Sequence, residues 1–100
     1  MKSDKNLSTS GTCLQGYIEA DHKLLVKLFG KSHNHDDYKS DAEWYLDTPY
    51  GIATIYNYKD GKNYLGDEGD AIEDITEWHI GGTNKNVSAY LQGFIHANQK

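Results

Sequence analysis

Between residues 41 and 82 the chain reads DAEWYLDTPYGIATIYNYK, then a polar stretch containing glycine, then ITEWHIGG. Apolar and polar residues alternate here with a period of two, the signature of half-buried strands. Ala42, Trp44 and Leu46 fall on one side and Glu43 and Tyr45 on the other. Pro and Gly in TPYG, residues 48–51, supply a turn. Beyond it, over residues 51–59, Ala53 and Ile55 oppose Ile52, Thr54, Tyr56 and Tyr58, which completes a hairpin. Residues 75–80 form a further strand, with Trp78 and Ile80 on one side and His79 on the other, broken by Gly81-Gly82. Strands of this kind demand an antiparallel sheet with one covered face.

Two amphipathic segments flank the strands and supply the cover. Residues 14–20 read as a first strand, followed by Asp21 as a helix N-cap. Leu24, Leu25, Leu28 and Phe29 then recur at helical spacing, with Lys23, Lys27 and Lys31 outward and Gly30 as a stop. After the last strand, Thr83 or Asn84 caps a final helix whose Val87, Leu91, Phe94 and Ile95 share a face. The fold class expected is α+β: an antiparallel sheet with two helices on one face, in the order β-α-β-β-β-α. With 100 residues the chain forms one domain, 11–98, behind a flexible, polar N-terminal lead, 1–10, that lacks the apolar core of a secretory signal.

Composition narrows the partners. No apolar run approaches the ~20 residues of a membrane span. The formal charge is −5 and all ten basic residues are lysines, which argues against a DNA or RNA duplex, for which a basic face and arginine forks are usual. The single cysteine, Cys13, suits a reducing cytoplasm and reads as a small buried hydrophobe. Tyrosine is in excess: there are eight, five of them between Tyr45 and Tyr64. A core of this size does not need so many rings that each want a hydrogen-bond partner. A sheet showing rings and polar tips together suits a flat, polar ligand.

The segments TCLQGYI, DAEWYLD, GIATIYNYKDGKNYLG and ITEWHIGG resemble a widespread family of small phage proteins. The usual form of that family is GTSLQGYI, an EW strand, DGTVATIYNYK, a variable loop, and EWHIGG ahead of a helix. The likeness spans residues 11–95, and EWHIGG is its most specific part. The family is identified with viral anti-CBASS sponges, which bind host cyclic dinucleotide signals such as cyclic GMP-AMP and withhold them from effectors without cutting them. The resemblance implies a non-enzymatic protein of the infected bacterial cytoplasm, assembled as a homo-oligomer, a tetramer, with ligands at subunit boundaries. TPYG replaces the usual DG turn, and Cys13 stands where Ser is common. Ligand contacts are not carried over from the family, so the candidate site rests on chemistry.

Four groups of residues are candidates for ligand binding. Gly81, Gly82 and Thr83 lead from a strand into a helix, where free amides and the helix dipole suit a phosphate; an ordinary turn with Thr83 as N-cap explains them equally. His79, on the face away from the helices, can donate to a phosphate or a base edge, or simply be solvated. Tyr56 and Tyr58 can stack a purine while Lys59 neutralises phosphate, or can pack on a neighbouring subunit. Trp44, Tyr45 and Tyr64 are further candidates for stacking. Lys62, Asn63 and Tyr64, within the excursion 60–74, can close over a ligand or remain a solvated loop.

Other chemistries are less well supported. HNHDD at 33–37 contains a His-x-His pair but no further ligands at metal spacing, and no metal or cofactor is expected. Asp67, Glu68, Asp70, Glu73 and Asp74 do not match an EF-hand and read as solvated charge. No nucleophile motif accompanies Glu77 and His79, which lie two apart on one strand face and could serve as base and orienter or shape a pocket. Two rival functions stand beside sequestration. One is an acidic protein-binding inhibitor of a host defence enzyme; the other is a small nucleotide-cleaving enzyme.

Overall fold

A computed structural model describes residues 2–32, 42–57, 65–69 and 71–99. The elements run β1 (Cys13–Glu19), α1 (His22–Phe29), β2 (Glu43–Thr48), β3 (Gly51–Tyr56), short 3-10 turns at Gly66–Glu68 and Ile72–Asp74, β4 (Glu77–Gly82) and α2 (Lys85–Ala97). The strands form one antiparallel sheet in the order β1-β4-β3-β2. The β-α-β-β-β-α order and the α+β class are those expected from the periodicity. β3 runs over Gly51–Tyr56; residues 58 and 59 of its alternating pattern lie outside the described residues. Asn57 then turns inward, wholly buried, and its Oδ1 accepts the Ala42 amide at 3.0 Å, prolonging the hairpin by a side chain.

The alternation of the strands decides what is covered. Trp44, Leu46, Ala53, Ile55, Trp78 and Ile80 all point to one side and are buried there with Leu25 and Phe29 of α1 and Val87, Leu91 and Ile95 of α2. Each such side chain withdrawn from water contributes on the order of 1.5–3 kcal/mol before the entropy of ordering is subtracted. The helices also touch each other through Phe29 and Phe94, stacked with ring centroids 5.8 Å apart.

The two tryptophans lock α1 in place. Their rings meet edge to face at 5.3 Å. Each indole N–H donates to a backbone carbonyl beside the helix: Trp78 Nε1 to Ala20 O at 2.8 Å and Trp44 Nε1 to Gly30 O at 2.9 Å. One bond therefore lies just before α1 and one just after it. Asp21 occupies the N-cap position without a side-chain cap bond, and Gly30 ends the helix at φ 89°. The tryptophan bonds thus hold both ends of an eight-residue helix too short to persist alone.

Both margins of the sheet are closed. On β1, Gln92 of α2 and Gln99, two residues past the end of that helix, donate from Nε2 to the carbonyls of Tyr17 (2.9 Å) and Glu19 (2.7 Å). On β2, the Asp4 amide donates to Tyr45 O at 2.9 Å and the Tyr45 amide donates to Ser3 Oγ at 3.0 Å. The Ser3 amide in turn donates to Phe29 O at 2.8 Å. The N-terminal lead, expected to be flexible, is fastened along an edge strand. Edge groups engaged in this way are withdrawn from pairing with other chains. Cys13, expected to be buried, is exposed at the first position of the edge strand β1. No helix among the described residues is long and apolar enough to cross a membrane.

Replacing Trp78 or Trp44 with Phe removes an indole donor and leaves a carbonyl beside α1 without its partner. Each variant is expected to lose about 2–4 kcal/mol of unfolding free energy, measured by urea titration. A loss under about 1 kcal/mol at both positions would show that the indole bonds do not hold the helix.

Candidate functional site

The sheet face away from the helices carries the chemistry. Register places Tyr17, His79, Tyr56 and Glu43 side by side on β1, β4, β3 and β2, a single row crossing the whole sheet. His79 stands between two tyrosines, edge-on to each, with ring centroids 5.0 Å from Tyr17 and 5.4 Å from Tyr56. Tyr45, two residues from Glu43, donates from its hydroxyl to Glu43 Oε2 at 3.3 Å. Tyr17 is the most open of these rings at 61% exposure, whereas Tyr56 is half-buried.

Gly81 is what lets this row pack against the next one. A Cβ on Gly81 would stand 2.5 Å from Thr54 Oγ1 and 3.5 Å from Tyr56 Cε1. Glycine therefore allows the Thr54 hydroxyl and the Tyr56 ring to lie across the β4 backbone. Gly82 faces the opposite way, where a Cβ would come within 3.0 Å of Val87 Cγ1 beneath α2. The glycine pair thus serves close packing on both faces of one strand.

The expected phosphate cradle at residues 81–83 is not formed. Gly81 and Gly82 are buried and paired on both sides, with β1 and with β3. The Thr83 amide donates to Ile52 O at 3.2 Å. Asn84, not Thr83, is the N-cap of α2: its Oδ1 accepts the amides of Asn86 (3.0 Å) and Val87 (3.3 Å). Its Nδ2 donates to Tyr50 O at 3.0 Å, tying the helix start to the β2–β3 turn. The donors expected to meet an anion are occupied in holding that turn against the helix.

Trp44, offered as a stacking ring, is wholly buried in the core and unable to meet a ligand. Tyr58, Lys59 and Tyr64 lie outside the described residues, as do Lys62, Asn63 and the HNHDD segment. No group of three or more metal-ligating side chains occurs among the described residues. Of the expected site residues, the structure brings together Tyr56 and His79 and adds Tyr17. Alternation along residues 14–20 already put Tyr17 opposite Ile18 and Ala20; only the β1–β4 register sets it against His79.

The face is acidic. Glu19, Glu43, Asp47 and Glu77 share it with the rings, and none of the four strands carries a lysine. No protein-family model, curated protein or solved structure matches the chain, so its site is read from its own residues.

Replacing Asn84 with Ala removes two cap bonds and the tie to Tyr50. A loss of about 1 kcal/mol, seen as a lowered melting temperature, is expected. An unchanged melting temperature would mean that the cap is not what holds the β2–β3 turn to α2.

Proposed function

We propose that the protein binds cyclic dinucleotide signals of the bacterial host and withholds them without cleavage, acting in the infected cell as a phage immune-evasion protein. The observation that carries this reading is the row Tyr17–His79–Tyr56, in which aromatic faces and hydrogen-bonding tips lie together on one sheet surface. Aromatic rings stack any base, at ~1–3 kcal/mol per base, and an imidazole beside them donates to a phosphate or a base edge. Lys59, three residues beyond Tyr56 in sequence, is a candidate to neutralise a phosphate. The resemblance of TCLQGYI, ATIYNYK and EWHIGG to the phage sponge pattern supports the same reading. Sequestration needs no nucleophile, and an abundant binder lowers free signal by mass action once its Kd falls below the effector's. Assembly into a homo-oligomer, a tetramer, would set such faces at subunit boundaries. With both sheet margins closed, copies would meet through faces rather than by adding strands.

Calorimetry with a panel of cyclic di- and trinucleotides is expected to find a ligand that chromatography recovers intact. Tyr56→Leu is expected to weaken its binding about tenfold with the fold preserved by circular dichroism. Absence of heat across the panel would end this reading, and recovery of a cleaved product would replace sequestration with turnover.

A further inference from the structure

On the half of the open face formed by β1 and β4, the ring row ends at Tyr17 and gives way to carboxylates. Tyr17 and Glu19 share this side of β1, and Glu77 stands directly opposite Glu19 on β4. Carboxylates directly opposite each other on antiparallel strands repel. Neither accepts a hydrogen bond or an ion pair through its side chain from any described residue. Tyr17 sits beside them at 61% exposure, and a hollow of about 410 Å³ runs between Tyr17, Ile18, Glu19 and Glu77. A second hollow, of about 510 Å³, shares Glu19 with the first and is lined also by Asp21, Thr76, Asn98 and Gln99 beside the C-terminus of α2. That helix end adds partial negative charge of its own. Carboxylates, a ring face and a helix C-terminus all favour the same guest: an aliphatic stem ending in a cation.

We propose that this surface docks a basic segment of another protein, with one lysine or arginine stem on the Tyr17 ring and its charged end between Glu19 and Glu77. Charge complementarity selects the partner. With no lysine on any strand, nothing built into the sheet competes for the carboxylates, and the chain's −5 charge steers a basic segment toward it. The inference shares Tyr17 with the ring row but makes no use of His79, Tyr56 or Lys59, so it stands whether or not that row takes a nucleotide.

The test uses a fluorescein-labelled hexalysine peptide, followed by anisotropy at low salt and by amide chemical shifts of the full chain. Shifts are expected to centre on Tyr17, Glu19, Glu77 and Asp21. Glu19→Gln with Glu77→Gln is expected to weaken binding about tenfold, as loss of two ion pairs should. Tyr17→Leu is expected to weaken it about threefold, and Tyr17→Phe to leave it unchanged, because the ring rather than the hydroxyl meets the cation. The control Asp67→Asn with Glu68→Gln removes the same charge from an exposed turn and should change affinity less than twofold. Equal weakening by the two double variants, or shifts scattered over the whole surface, would overturn the proposal by reducing the binding to net charge alone.

Discussion

Two indole N–H bonds set the geometry on which the rest of this fold depends. Trp44 and Trp78 come from strands at different depths of the sheet, meet edge to face, and reach the carbonyls flanking α1. A helix of eight residues without a side-chain cap has little stability of its own. By bonding the backbone just outside each end, the tryptophans satisfy buried carbonyls and fix how far α1 sits from the sheet. The core of α1, α2 and four strands then closes around that spacing, with Phe29 against Phe94 at the seam between the helices.

Covering one face leaves the other to chemistry. The helix side takes the aliphatic residues and both tryptophans; the open side holds tyrosines, one histidine and carboxylates. Gly81 and Gly82 serve this division from adjacent positions, one letting Thr54 and Tyr56 lie across β4 and the other admitting Val87. A pair of glycines before a helix invites an anion-binding interpretation. Here their conformation is explained by close packing, while Asn84 occupies the helix start.

Period-two alternation made the sheet and its two faces legible, including the inward set of Trp44, Leu46, Ala53, Ile55, Trp78 and Ile80. Helical spacing did the same for Val87, Leu91 and Ile95. What stayed hidden depends on pairing between distant segments. Tyr17 joins His79 only through the β1–β4 register, which the alternation of either strand alone cannot fix. The hold of Ser3 and Asp4 on β2 is made by backbone groups and a hydroxyl, which leave no hydrophobic pattern in a polar lead. Thr83 and Asn84 were equivalent as caps by residue type; the nearness of the Tyr50 carbonyl distinguishes them. Cys13 is exposed together with Leu14 at the start of the edge strand, which alternation alone does not distinguish from the covered part of β1.

The closed margins have a consequence for how copies of this protein can meet. Its two border strands are guarded by different means, one by amide side chains in and just past a helix and the other by the chain's own first residues. Groups guarded in this way are not free to pair with the same groups of another copy. The guard on β2 rests on Ser3 and Asp4, and without those two residues the Tyr45 amide and carbonyl would stand open to another strand.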